Sequence, residues 1–203
     1  MHTHPLALIE KDGPRQGRFH YVSPNTDLLG WIMERATGQR YADLVSDLLW
    51  KPMGAGRSAY ITVDRFGAPR CAGGFCATAR DLARLGLLIA DGGRYAGKQI
   101  IPSWWLDDIV ERGDAAGWND GDFVKYFPKM RIHYRSKWYV LRAHAPLMFG
   151  VGVFGQNVFI DRKNHPVIAK LSSQASPMDK QRILFTTQGI AAIRNRLLVA
   201  GTV

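Results

Sequence analysis

The sequence predicts an α+β fold: a helical region, then antiparallel strands, then a covering C-terminal helix. Three observations carry this. Apolar residues recur at helical spacing in several stretches before residue 112, β-branched and aromatic runs separated by turn residues follow from 138 to 171, and a last helical row lies beyond 176. The 203 residues suit one ordinary domain or two small ones. With 46% hydrophobic against 22% charged residues, the composition is globular rather than disordered or membrane-spanning.

Residues 1–18 are polar and carry Pro5, Gly13, Pro14 and Gly17, an irregular lead-in. Ser23, suited to an N-cap, and Pro24, suited to a first helical position, open a helix whose apolar side uses Leu28, Leu29, Ile32, Met33 and Ala36. Gly38 stops it. A second helix over 41–50 gathers Tyr41, Leu44, Val45, Leu48 and Leu49 on one side and ends before Pro52. The stretch 54–74 mixes Tyr60, Ile61 and Val63 with glycines and predicts a short extended excursion. Thr78-Ala79-Arg80-Asp81 is a capping box for a helix reaching about Ala90, closed by Gly92-Gly93. A further short helix begins near Pro102-Ser103 and buries Trp105, Ile109 or their neighbours. Residues 19–112 therefore form the helical region.

Residues 113–203 form the sheet region with its helix. After an irregular aromatic stretch, strands are expected at 138–141, 147–153, 157–160 and 167–171, the last two joined as a hairpin through the turn 161–166. Ser176-Pro177-Met178-Asp179 then starts a helix with Ile183, Thr187, Ile190, Arg194 and Leu197 on one row.

Charge and cysteines narrow the chemistry little. Lys and Arg number 27 against 17 Asp and Glu, a net +10 that favours anionic partners without naming one. The densest stretch, 125–144, holds Lys125, Lys129, Arg131, Arg135, Lys137 and Arg142 with no acid, interleaved with Tyr126, Phe127, Tyr134, Trp138 and Tyr139. It can be read as a binding module for a single-stranded nucleic acid or another anionic polymer. It can also be read as a solvated basic rim, and no nucleic-acid motif accompanies it. Cys71 and Cys76 are expected to be buried thiols. The N-terminus shows no export signal and no apolar run is long enough to span a membrane, so a soluble, cytoplasmic chain without membrane partners is expected.

Nucleophilic catalysis needs a Ser, Thr or Cys beside a base. No Gly-x-Ser-x-Gly elbow exists, and none of Ser23, Ser46, Ser58, Ser103, Ser136, Ser172, Ser173 or Ser176 is followed three residues later by Lys. The six histidines form no metal-ligand spacing, and no phosphate-loop motif occurs. Neither a metal nor a cofactor is expected.

The run Phe19-His20-Tyr21-Val22-Ser23-Pro24-Asn25-Thr26-Asp27-Leu28-Leu29-Gly30-Trp31 continues into Glu34-Arg35-Ala36-Thr37-Gly38 and Leu49-Trp50-Lys51-Pro52-Met53-Gly54-Ala55. It resembles the serine β-lactamase-related superfamily, in its class C β-lactamase, DD-peptidase and esterase branch, where the stretch reads Phe-x-Tyr-Ser-Asn, Leu-Leu-Gly, Thr-Gly and Pro-Leu-Gly-Met. The runs 72–84 and 152–161 add to the likeness. The resemblance implies the C-terminal part of a β-lactamase/transpeptidase-like fold. It also implies hydrolysis of a small-molecule amide or ester through an acyl-enzyme, formed by the serine of a Ser-x-x-Lys motif. Carried over by position, Tyr21 is the general acid/base and the backbone N–H of Val153 an oxyanion donor, with Gln156 a second candidate. Ser23 stands where many relatives have Asn and contacts Lys or substrate; it can equally be only the helix N-cap. The Lys-Thr-Gly that relatives carry near residues 152–153 is missing, which favours an amidase or esterase over a β-lactam binder. The relatives' Ser-x-x-Lys lies well upstream of their Tyr, whereas 20 residues precede Tyr21 here. The chain is therefore expected to be one incomplete domain, without its nucleophile and inactive alone.

Overall fold

A computed structural model describes residues 17–200, so all but the last two residues of the expected lead-in over 1–18 lie outside the described residues. The helical region opens with α1 (Pro24–Thr37), ended by Gly38 at φ 71°, whose N–H donates to Glu34 O. Next come α2 (Tyr41–Val45) and a π-helical turn (Ser46–Trp50) in which Lys51 N–H reaches Ser46 O at 2.9 Å. The wider turn breaks the 3.6-residue row of the single helix predicted over 41–50. Leu44 and Trp50 are buried while Leu48 is turned out to solvent.

The excursion after Gly54 closes as a hairpin of β1 (Tyr60–Ile61) and β2 (Phe75–Cys76). The capping box before α3 (Ala79–Ala90) is present: Thr78 Oγ1 accepts from Asp81 N–H at 3.1 Å. A small hairpin of β3 (Arg94–Tyr95) and β4 (Lys98–Gln99) follows, then α4 (Ser103–Glu111) and α5 (Ala115–Asn119). The last segment holds β5 (Ile132–Arg135), β6 (Trp138–Leu141), β7 (Leu147–Gly152), β8 (Gln156–Asp161) and β9 (Val167–Lys170), one antiparallel sheet in chain order, and then α6 (Lys180–Ala200).

Strand alternation sends one set of side chains to each face of this sheet. Val140, Met148 and Ile160 pack with Ile89 and Ala90 of α3 and Leu106 and Ile109 of α4. On the other face, Tyr139, Phe149 and Phe159 stand directly opposite one another across three strands, with ring centroids 5.3 and 5.7 Å apart and nearly parallel planes. Tyr134 and Ile168 extend this row to both edge strands, and Ile190 of α6 covers it. Each aromatic pair contributes about 1 kcal/mol beyond its buried area.

One buried clasp ties α6 to the sheet. Asp161 is fully buried and accepts from Arg194 Nη2 at 2.5 Å and Nε at 3.0 Å, while Arg194 Nη2 also donates to Ala145 O. Burial pushes the Asp161 carboxyl upward, but hydrogen bonds from Asn164 and Arg194 outweigh it and hold the group below its ordinary range.

Several expectations are corrected. On α1, Leu29, Ile32 and Met33 are exposed; the helix is held by polar contacts instead, Asp27 accepting from Ala72 N–H and Glu34 from Tyr41 N–H, both at 2.8 Å. Strand β5 falls inside the stretch read as irregular. Helix α6 starts at Lys180 rather than near Ser176, with Asp179 taking the Arg182 N–H. Both cysteines are free. Cys76 is exposed on the thin β1–β2 hairpin, and Cys71 is half-buried with its thiol pushed up to about 11 by burial and by Asp27 and Glu34.

The basic aromatic stretch 125–144 is not a stacking platform. Phe127 and Tyr139 are in the core, Tyr134 packs against it, and Arg135 forms a two-bonded pair with Asp108 at 2.5 and 2.9 Å. Rings committed to the core cannot stack on bases, so these three rings offer no stacking surface to a nucleic acid.

Candidate active site

Tyr21 is placed by the segment that precedes it. Phe19 N–H donates to Gly117 O at 2.8 Å, laying residues 17–21 across α5. A Cβ at Gly117 would stand 2.0 Å from Gly17 O, so only glycine permits this approach. Phe19 then touches four rings: Tyr21, Trp118, Phe123 and Tyr134, with centroids 4.7 to 6.5 Å away. Tyr21 itself stacks on Phe123 at 4.9 Å and meets Tyr134 edge-on at 6.1 Å. Burial pushes the Tyr134 and Tyr139 hydroxyls above the ordinary phenol range, so both stay neutral beside it. Sequence reading missed Phe123 and Tyr134 as the setting of Tyr21; their only signal was the aromatic density after residue 118.

Ser23 lies two residues on, exposed at the start of α1. Its backbone is already helical (φ −57°, ψ −46°) and its side chain caps nothing. An N-cap needs extended backbone to turn its oxygen toward the first helical N–H groups, so the capping expectation is corrected. The hydroxyl is left for another contact.

Val153 was expected within a strand. Strand β7 ends at Gly152 instead, and Val153–Gly155 forms a 3₁₀ turn into β8. Val153 is 53% exposed, which also excludes an ordinary core position. The turn is strained at Phe154, which has φ 60°, while the following position, at φ 85°, is taken by Gly155, which adopts it freely. Bulky residues rarely adopt positive φ, and such strain gathers at functional sites. The surroundings fix it: Phe154 N–H donates to Pro177 O at 3.0 Å, Gln174 N–H to Phe154 O at 3.1 Å, and Lys170 Nζ to Gly155 O at 3.0 Å.

The Gln156 side chain is committed to the main chain beyond β9. Its Oε1 accepts from Ser172 N–H at 3.1 Å and its Nε2 donates to Ser172 O at 2.5 Å. Both ends of the side-chain amide thus clamp the chain after β9. Among the described residues no hydrogen bond or ring contact joins Tyr21, Ser23 and Val153, and no group of His, Cys, Asp or Glu is gathered to hold a metal ion. No described helix is long and apolar enough to cross a membrane.

A helical region, an antiparallel sheet and a C-terminal helix, with a tyrosine set just before α1, define the β-lactamase/transpeptidase-like class. Residues 6–192 match the model of the beta-lactamase family, and the chain belongs to that family. A 6-aminohexanoate-dimer hydrolase from Paenarthrobacter ureafaciens is 38% identical over 172 residues, which cover 85% of this chain and 43% of the relative. A solved structure assigned as a 6-aminohexanoate-dimer hydrolase from Bacillus anthracis superposes with a TM-score of 0.78 at 30% identity, covering 90% of this chain and 45% of that one. An octameric penicillin-binding protein homologue from Pyrococcus abyssi shares the fold at a TM-score of 0.60 and 15% identity, over 86% of this chain and 43% of its own. The chain thus spans less than half the length of the 6-aminohexanoate-dimer hydrolases it matches.

Proposed function

We propose that this chain is part of a serine hydrolase that cleaves a small linear amide or ester through an acyl-enzyme, and that its nucleophile comes from a Ser-x-x-Lys segment the chain does not contain. The observation that carries this reading is the 38% identity to a 6-aminohexanoate-dimer hydrolase across 85% of the chain. Tyr21 moves the proton between nucleophile and leaving group. The Val153 N–H stabilises the developing oxyanion, a role a backbone donor performs whatever its side chain. Ser23 contacts the nucleophile's lysine or the substrate.

Support for a covering segment comes from two features that lack a partner among the described residues. Strand β9 ends the sheet order and, among those residues, pairs only with β8. On α6, Phe185 is 78% exposed and lies on one helical row with Ile193 and Leu197, both also exposed. Alone, the chain is expected to turn over neither p-nitrophenyl esters, 6-aminohexanoate dimer nor nitrocefin. Joined to or co-expressed with a polypeptide carrying the family's Ser-x-x-Lys helix, it should gain activity that Tyr21→Phe lowers about 10²- to 10⁴-fold. Turnover by the chain alone would refute the missing nucleophile. Joint activity indifferent to Tyr21→Phe would remove Tyr21 from the mechanism.

A further inference from the structure

A groove of about 540 Å³ lies between the π-helical turn and the β1–β2 hairpin, and neither Tyr21, Ser23 nor Val153 lines it. Its apolar lining includes Trp50, Ile61 and Phe75, the rings of Trp50 and Phe75 meeting edge to face at 5.1 Å. Tyr60, another lining residue, is 73% exposed and so offers its ring to the groove. The π turn that shapes one wall is a form that recurs at functional sites.

Charge decides what fits. Two carboxylates stand nearby and both are neutralised: Asp43, in the lining, by Arg40 at 2.7 and 3.0 Å, and Asp47 by Lys51 at 2.7 Å. Arg57 is then the lining cation with no acidic partner among the described residues. Its backbone is fixed, because Trp50 Nε1–H donates to Arg57 O at 2.8 Å. A second groove shares Arg57, Ser58 and Tyr60 on the way to Cys76 and Thr78, so the exposed Arg57 borders both. The volume lies within the range of small-molecule sites.

We propose that this groove binds a small monocarboxylate with an aryl or alkyl body, its carboxylate on Arg57 and its apolar body against Trp50, Tyr60 and Phe75. The fork of a guanidinium matches a carboxylate, and the rings give the body an apolar surface. The site is independent of the hydrolytic reading.

The test titrates the whole chain with 3-phenylpropionate, using calorimetry and the Trp50 indole N–H resonance, assigned through Trp50→Phe. Saturable one-to-one binding that moves this resonance is expected. Arg57→Ala, the shape-keeping Arg57→Gln, and replacement of the acid by 3-phenylpropan-1-ol should each weaken it about tenfold or more. Tyr21→Phe and Arg80→Ala, the latter a control for surface charge, should leave affinity unchanged. The proposal is overturned if no saturation occurs below about 10 mM, if alcohol and acid bind alike, or if both Arg57 variants bind as the wild type does.

Discussion

The Tyr21 corner and the Val153 turn are built by opposite means. Tyr21 is held by side-chain packing: Phe19 and Phe123 fix its ring, and Gly117 matters only by letting the chain pass. Val153 is held by main-chain geometry, a strained turn pinned through Phe154 to Pro177 and Gln174 while its own side chain faces solvent. The difference matches the two tasks proposed for these residues. A proton-transferring phenol must be placed as a whole side chain, whereas an oxyanion donor is a backbone N–H whose aim depends on φ and ψ.

The largest effect that could break this contrast is at Phe19, which joins four rings. Phe19→Ala should cost about 3 kcal/mol of stability by denaturant unfolding, the lower end for an aromatic truncation because the residue is half-buried. A loss under about 1 kcal/mol would mean that packing does not hold the Tyr21 corner. Next is Gly155→Ala, which must adopt φ 85° and meets the Gln174 amide at 2.3 Å. It should cost about 1–2 kcal/mol and shift the amide resonances of 153–156.

Acid should act first at a carboxylate outside both corners. Asp81 is held down to about 2 from 3.8, first by the Gly56 N–H and then by Thr78 and Arg84, with burial opposing. A depressed carboxyl stabilises the fold fully above its unfolded value and loses that contribution as pH falls through the folded one. Melting temperature should therefore drop between about pH 4 and pH 2, and less steeply in Asp81→Asn; parallel curves for the two proteins would contradict this. The smallest effect sharpens the comparison most. Val153→Ala should change stability by no more than about 0.5 kcal/mol and leave joint activity intact, and a large loss would give the side chain a role.

Much of the fold was legible in the sequence because its signals are local. The Thr78-x-x-Asp81 box, Gly38 as a stop and the alternation in β6 to β9 act within a few residues, and the structure follows them. What was not legible depends on distant chain. The burial pattern of α1 could not be read from its periodicity, since Leu29, Ile32 and Met33 fit an inward row yet lie outside. Strand β5 was hidden among basic residues because its pairing with β6, not its own composition, makes it a strand. At the candidate site, Tyr21 was legible through its motif. The aromatic setting of Tyr21, the strained turn beside Val153 and the Gln156 clamp on Ser172 required the tertiary structure.

The Asp161–Arg194 clasp has a bearing on time as well as on energy. Its partners are 33 residues apart and meet only when both the β8 end and α6 are in place. An interaction completed that late is absent from the folding barrier and present in the unfolding one. Arg194→Met should therefore accelerate unfolding in stopped-flow experiments while refolding proceeds at nearly the native rate. That result would make the clasp a determinant of how long the aromatic face stays shut rather than of how fast it closes.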